Sequence, residues 1–219
     1  MIKSLAAISV LFLCTACASG TALDYLRIKD IPAPQGNSLT HCFGYGCEKQ
    51  KTVKLSPTAQ KEVAALFKGI ETADNERDAI AQAIAVFEED LGEQVGTKAD
   101  RRGTFRIYEA SDKDYDSRFQ QDCVDESTNT TSYLIYLEQN NLLRFHRAGF
   151  PVGRQPFLSG DRWWHQSASV FDLADNQQYV VDSWFHDNGH KAEIAPLDVW
   201  MKGWSPHKAK KETKNNEAL

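Results

Sequence analysis

Two stretches in the first half of the chain carry apolar residues at helical spacing. The first follows Ser56-Pro57, which offers a good N-cap and a proline in the first turn. The second begins near Asp74 and ends near Gly92 or Gly96. The stripes consist of Val63, Leu66, Phe67 and Ile70 in the first stretch and Ile80, Ile84, Phe87 and Leu91 in the second. We predict two scaffold helices that carry no chemistry.

The second half of the chain turns to strand-like patterns after one further helix. That helix is predicted from Cys123 to about Gln139, although its Ser, Thr and Asn content lowers its propensity and tertiary packing must hold it. Strand-like runs follow at 142–147, 163–171 and 179–185, and a hairpin-like connection at 173–177 joins the last two. Residues 196–200 predict a short final helix. Helices followed by an antiparallel sheet predict an α+β fold.

The remaining segments are less regular. Residues 18–55 predict an irregular entry segment, 56–204 a single α+β domain, and 205–219 a disordered basic tail with few apolar residues. Residues 97–121 are charged and mixed, with a short strand at 104–108. Asp112, Asp114 and Asp116 alternate like the start of a calcium loop, but Ser117 and Cys123 occupy the positions that need Gly and Glu. A solvated acidic loop is therefore predicted there.

The N-terminus has the layout of a secretory signal peptide. Lys3 precedes an apolar run over 5–13, and small residues follow. The run is about half the roughly 20 residues that a spanning helix needs, and an uncleaved anchor is the alternative. Residues 13–17 resemble the lipobox of bacterial lipoproteins, with Cys14 where an aliphatic residue is usual. The resemblance implies a signal peptide and lipobox over 1–17, and lipidation at Cys17 in place of simple cleavage. The protein is then a membrane-anchored lipoprotein that faces the periplasm or the cell surface.

Composition and charge narrow the partners. The chain of 219 residues is 42% hydrophobic and 25% charged, which is ordinary for a globular protein with one core. Lys+Arg 25 against Asp+Glu 30 gives a net charge of −5, and no long basic stretch lies in its body. Nucleic acid is therefore not an expected partner. The sequence has no phosphate loop, dinucleotide motif or complete metal site, so no cofactor is predicted.

The cysteines sort into three groups. Cys14 and Cys17 belong to the export segment. Cys42 and Cys47, five positions apart in HCFGYGC, predict a local disulfide in an oxidising compartment, and half of a metal site is the alternative. Cys123 is left alone. An unpaired thiol in an exported protein indicates a reactive nucleophile. The alternative is a buried free cysteine that packs as a hydrophobe.

Cys123 on a helix, His165 on a strand and Asp182 on the next strand stand in an order that suits nucleophilic catalysis. A thiol at a helix N-terminus lies at the positive end of the helix dipole, which favours the thiolate. His165 can take its proton and return it to a leaving amine, and Asp182 can fix the imidazole tautomer. The alternatives are a hydrogen-bonded core histidine and a carboxylate that caps a loop.

These residues resemble a known family. Cys123 in QDCVDES, His165 in WWHQSASVF and Asp182 in YVVDSWF, in this order, are similar to the core of the transglutaminase-like cysteine hydrolases, a branch of the papain-like fold superfamily. The resemblance covers about 120–204. It implies that Cys123 is the nucleophile, His165 the base and acid, and Asp182 the residue that orients the imidazole. The backbone N–H of Cys123 would form part of an oxyanion hole, with Gln120 or Gln121 as the other donor.

The resemblance implies a cysteine peptidase or amidase, or an acyl transferase, that acts on a peptide or protein through a thioester. The second hypothesis is an inactive lipoprotein of the same fold that serves as a binding or assembly module. In that case an aromatic-rich stretch lines a groove for a partner, although core packing explains the same residues: Trp163, Trp164, Phe171, Trp184 and Phe185.

Two other readings of the chemistry are weaker. His186 and His190 are four positions apart, a spacing known for zinc ligands, but Asn188-Gly189 interrupts a helix between them and the sequence has no HExxH glutamate. A redox role for Cys123 lacks a nearby partner cysteine.

Overall fold

The computed structural model of the chain describes residues 20–105, 117–155 and 164–209. Its elements, in chain order, are α1 (Ala22–Ile28), β1 (Ser38–Phe43), β2 (Lys49–Lys54), α2 (Pro57–Leu66), α3 (Ala73–Val95), α4 (Cys123–Gln139), β3 (His146–Arg154), β4 (His165–Asp172), β5 (Gln178–Asp182), β6 (Glu193–Pro196) and α5 (Leu197–Trp200). The fold is mixed α+β with antiparallel sheets, which confirms the predicted class.

Both predicted scaffold helices are present. Ser56 caps α2 by accepting a hydrogen bond from the backbone N–H of Ala59 at 3.2 Å. Helix α3 begins after its N-cap, Thr72, and ends at Gly96, whose φ of 107° is a left-handed conformation that glycine adopts without strain. The stripe of α3 is fully buried, so this helix forms one wall of the core.

Helix α4 has the predicted bounds, but it is buried on almost all sides. It packs against β1, β3 and β4 as well as α1 and α3. Its polar side chains are consequently inside the protein and find partners there: Thr131 donates to the carbonyl of Ser127 at 2.6 Å, and Asn129 bonds both backbone groups of Cys42. A helix of low propensity is thus held by its surroundings.

The four-stranded sheet has the order β3-β4-β5-β6. The hairpin of β4 and β5, joined through 173–177, and the final helix α5 are present as predicted, but β5 ends at Asp182, so the predicted strand at 179–185 is three residues too long. Strand β3, however, begins at His146 and extends to Arg154, several residues beyond the predicted run at 142–147. A bulge interrupts its pairing between Gly149 and Val152. Gly149 allows the close approach of β4, because a Cβ there would lie 2.4 Å from Oγ of Ser169.

The segment 18–55, predicted to be irregular, contains a helix and a hairpin. A capping box formed by Thr21 and Asp24 starts α1, which buries Tyr25 and Leu26. Strands β1 and β2 pair residue for residue from Ser38 with Lys54 to Phe43 with Lys49. The predicted disulfide between Cys42 and Cys47 is confirmed and spans the turn of this hairpin.

One hydrophobic cluster joins these elements. It includes residues of α1, β1, α2, α3, α4 and the larger sheet, so the described part of 18–55 shares the core with the segment from 56 onward. A boundary at residue 56 therefore does not separate two packed units. Around Val180 and Trp200, a smaller cluster packs α5 on strands β5 and β6.

Several predictions fall wholly or partly outside the described residues. These are the signal peptide and lipobox, the acidic stretch at Asp112, Asp114 and Asp116, most of the strand at 104–108, Trp163, and residues 210–219 of the tail. Of the tail's described part, 206–209 form a helical turn. Among the helices described, none has both the length and the apolar character that crossing a membrane requires.

Candidate active site

Cys123 is the first residue of α4, as the sequence predicts. The N-cap residue, Asp122, accepts hydrogen bonds from the backbone N–H groups of Val124 and Asp125, each at 3.0 Å. The N–H of Cys123 takes no part in this cap, and the first N–H groups of a helix have no partner within the helix. The thiol is free of disulfides and buried.

His165 and Asp182 are brought together by the β4–β5 hairpin. Ala168 pairs with Val181, so Asp182 lies diagonally across from His165. Nε2 of His165 is 2.8 Å from Oδ2 of Asp182, and the same oxygen accepts a hydrogen bond from the indole Nε1 of Trp200 at 3.0 Å. All three side chains are buried.

These contacts fix the tautomer of His165. A tryptophan N–H only donates, so Oδ2 of Asp182 is an acceptor, and Nε2 of the neutral imidazole carries the proton that it donates to this carboxylate. Nδ1 then holds the lone pair. Among the described residues Nδ1 has no hydrogen-bond partner, although it is buried. A basic nitrogen without a partner is the arrangement that a proton acceptor requires.

Cys123 and His165 line the same cavity, which has a volume of about 410 Å³. One wall consists of Trp184 and Phe185. Their ring centroids lie 4.6 Å and 5.5 Å, respectively, from the ring centroid of His165. Trp164, a residue that is 42% exposed, also lines the cavity. The nucleophile and base predicted from the sequence thus face one apolar cavity of ligand-binding size.

The electrostatics of Cys123 depart from the expected thiolate. Burial raises the pKa of the Cys123 thiol to about 12; a hydrogen bond from the backbone of Gln166 acts in the opposite direction, and the carboxylates of Asp122, Asp182 and Asp125 raise it again. The helix dipole does not outweigh burial in this position. The resting group at neutral pH is therefore a thiol.

The two glutamine side chains that were predicted as oxyanion donors lie outside the cavity. Gln120 bonds the backbone of Ala99 and Arg101. Oε1 of Gln121 lies 3.1 Å from Nε2 of the buried His41, and neither glutamine lines the cavity. The structure thus brings Cys123, His165 and Asp182 into one site and leaves both glutamine amides outside it.

Gln166 and Trp200 were not singled out from the sequence. The amide of Gln166 donates to Ser127 on α4 at 2.7 Å and to Tyr25 on α1 at 2.8 Å, which ties β4 to both helices beside the thiol. Trp200 comes from α5, after the last strand. The position of Gln166 next to His165 in the sequence is the one signal that could have indicated its place beside the site. Nothing local connects Trp200 with Asp182.

A group of buried carboxyls lies behind the site. Oε2 of Glu126 accepts a hydrogen bond from the hydroxyl of Ser183, the neighbour of Asp182, at 2.5 Å. Burial, and then the charge of Glu126, raises the pKa of Glu88 and of Asp100 well above their ordinary values. Burial and the like charge of Glu126 therefore favour the protonated forms of Glu88 and Asp100.

The histidines considered for zinc do not form a ligand set. Nε2 of His186 is 2.7 Å from a carboxylate oxygen of Glu193, and Nδ1 of His190 contacts the carbonyl of Asp187. Within the described ranges, no group of three His, Cys, Asp or Glu residues is placed to hold a metal ion.

Comparisons with known proteins identify no relative. No family model matches the chain, and neither the search of curated proteins nor that of solved structures yields a match.

Proposed function

We propose that the protein is an exported thiol hydrolase that uses Cys123, His165 and Asp182. The observation that carries the proposal is the contact of Nε2 of His165 with Asp182, which leaves Nδ1 without a hydrogen-bond partner among the described residues, on a histidine that lines the same cavity as Cys123. An orienting carboxylate, a base with a free nitrogen and a nucleophile at a helix N-terminus are the parts of an acyl-transfer site.

The reaction proceeds through a thioester. As Sγ of Cys123 bonds to the carbonyl carbon of an amide, the thiol proton moves to Nδ1 of His165. The electron pair on the carbonyl oxygen then re-forms the double bond and expels the amine, which takes the proton from Nδ1. Water, deprotonated at the same nitrogen, adds to the thioester and releases the acid and the thiol. With an amine in place of water, the same steps transfer the acyl group.

The transglutaminase-like form of the papain-like fold is part of this proposal. Its support is the order of the elements: the cysteine opens a helix, the histidine follows on a strand, and the aspartate lies on the next, antiparallel strand. The backbone N–H of Cys123 serves as an oxyanion donor.

An extracytoplasmic location completes the proposal. The disulfide between Cys42 and Cys47 is consistent with an oxidising compartment. Together with the lipobox-like residues that end at Cys17, it supports a lipid-anchored protein that faces the periplasm or the cell surface, with a peptide or protein as substrate.

Trapping of the acyl-enzyme tests the proposal without knowledge of the natural substrate. The purified protein is incubated with p-nitrophenyl acetate, the product is quenched in acid, and peptide mass spectrometry locates the acetyl group. We expect an acetyl thioester on Cys123 that disappears with time as water releases it. Cys123→Ser and His165→Asn should lose the thioester, whereas His190→Asn, which changes an exposed histidine, should keep it. A thioester that forms equally well in His165→Asn would refute the proposal.

A binding module of the same fold is the second candidate. The observation that favours it is the raised pKa of the Cys123 thiol, which deprives the resting protein of a thiolate. In that case the cavity binds a ligand without reacting with it. The rate of acetylation of Cys123 is then no higher than that of an ordinary buried thiol.

A further inference from the structure

The cavity beside Cys123 has walls that are apolar and aromatic. Phe105, Val124, Trp164, Trp184 and Phe185 line it, and its volume of about 410 Å³ exceeds what a glycine or alanine side chain would fill. It lies directly at the nucleophile and the base, so a group bonded to the reacting carbonyl would enter it.

The aromatic wall is already in place. Trp184 is fixed by a hydrogen bond from its indole Nε1 to the carbonyl of Thr104 at 3.0 Å. Phe185 meets Trp184 edge to face at 5.8 Å between ring centroids, and meets Trp204 in the same manner at 6.2 Å. A preformed wall of this kind accepts a ring without the cost of rearrangement, because aromatic rings favour edge-to-face and offset contacts.

Among the described residues that line the cavity, two are charged, and both have structural contacts of their own. The guanidinium of Arg154 donates to the carbonyls of Trp200 and Trp204 at 2.7 and 2.9 Å and lies over the Trp200 ring. The carboxylate of Asp122 caps α4. A charged group that entered the cavity would lose its hydration against an aromatic wall, which is unfavourable.

We propose that this cavity is a specificity subsite for an aromatic side chain on the acyl part of the substrate, next to the carbonyl that Cys123 attacks. The inference rests on the proposed thiol hydrolase and adds the class of substrate: peptides or amides whose acyl residue carries a ring. Small and charged acyl residues are poor substrates.

Directed alkylation tests the subsite. Acetyl-phenylalanyl, acetyl-glycyl and acetyl-glutamyl chloromethyl ketones each form a bond between Sγ of Cys123 and the methylene carbon with loss of chloride. Their rates are measured by intact mass and divided by their rates with free cysteine. We expect the phenylalanyl reagent to exceed the glycyl reagent by at least about 10-fold and the glutamyl reagent to be slowest.

A pair of variants locates the preference. Val124→Trp fills the cavity and should bring the ratio of phenylalanyl to glycyl rates close to one. Leu173→Trp adds the same side chain in the exposed β4–β5 turn, outside the cavity, and should leave the ratio unchanged. Should Val124→Trp fail to fold, the ratio in the native protein still decides the question.

The outcomes separate the subsite from the proposed function. Equal normalised rates for all three reagents, with acetylation of Cys123 still dependent on His165, would overturn the subsite and leave the thiol hydrolase standing. A long-chain alkyl chloromethyl ketone whose normalised rate exceeds that of the phenylalanyl reagent would also overturn it, by indicating an acyl-lipid substrate. No thioester in the acetate experiment would remove the function on which the subsite rests.

Discussion

Replacing Asp125 with Asn tests how the N-terminus of α4 is held beneath Cys123. The carboxylate of Asp125 accepts backbone N–H groups from Tyr45 at 2.8 Å, Cys47 at 2.6 Å and Asp122 at 3.1 Å. It therefore fastens the disulfide turn to the helix that carries the nucleophile. An asparagine keeps one oxygen and presents an NH₂ group to at least one of these donors, so at least one N–H loses its acceptor.

The size of the effect follows from these contacts. A buried donor without a partner costs about 1–3 kcal/mol. Burial, and then the charge of Asp122, raises the pKa of Asp125 well above its ordinary value. Because the charged carboxylate is disfavoured at this position, the uncharged amide of asparagine offsets part of the free energy lost with the hydrogen bond. We expect Asp125→Asn to lower the free energy of unfolding by about 1–3 kcal/mol. For a protein of this size, that lowers the Tm by about 2–10 °C. Asp125→Ala, which orphans all three donors, should cost on the order of 3–5 kcal/mol.

Urea unfolding followed by far-ultraviolet circular dichroism measures both variants. Asp175→Asn is the matched control, because Asp175 is exposed in a turn and its Oδ1 acceptor for the N–H of Gln177 is retained in asparagine. The control should lie within about 0.5 kcal/mol of the native protein. If Asp125→Asn is as stable as this control, the hydrogen bonds of Asp125 do not hold the disulfide turn against α4.

Three further changes probe the same framework. The raised pKa values of Glu88 and Asp100 mean that their contribution to stability is complete below about pH 4, the ordinary carboxyl value, and is lost as the pH rises toward the folded pKa. Glu88→Gln should therefore flatten the decline of the urea midpoint between pH 5 and pH 8, and an unchanged slope would contradict the assignment. Trp200→Phe removes the indole donor to Asp182 and should cost about 1–3 kcal/mol in urea unfolding and slow the acetylation of Cys123; unaltered acetylation would show that this bond does not orient the carboxylate. Reduction of the Cys42–Cys47 disulfide, which closes a short loop, should cost about 2 kcal/mol in the native protein and nothing in the variant with serine at both positions, as thermal unfolding with and without reductant would show.

The sequence was sufficient where local signals decide the structure. Ser56-Pro57 marks the start of α2, and of the two predicted ends of α3, Gly92 and Gly96, the structure has Gly96, because capping depends on near neighbours. The disulfide follows from a five-residue spacing across glycines. His165 and Asp182 meet because a short hairpin connects their strands. The hairpin pattern in the sequence is therefore enough to predict that these two residues are neighbours.

Long-range packing decides what the sequence did not reveal. The first half of helix α4 is rich in Asp, Glu, Ser, Thr and Asn, and its burial arises from elements that surround the helix on several sides. Strand β3 is displaced toward Arg154 because it pairs with β4 around a bulge. The high pKa of Cys123 results from burial and from carboxylates that include Asp182 on another strand, which a helix N-terminus alone does not indicate. The contact of Trp200 with Asp182 depends on where α5 returns to the sheet.

The dependence of Cys123 acetylation on His165 tests the central claim most directly. The rate with p-nitrophenyl acetate is compared between the native protein and His165→Asn at pH 7, with iodoacetamide alkylation of the same samples as a measure of thiolate. Because the thiol is protonated at rest, alkylation should be more than about 10-fold slower than that of free cysteine. Acetylation should fall by at least about 100-fold in His165→Asn, as expected when a general base is lost. Equal acetylation rates in the two proteins would contradict the account and leave Cys123 as a buried thiol in a binding cavity.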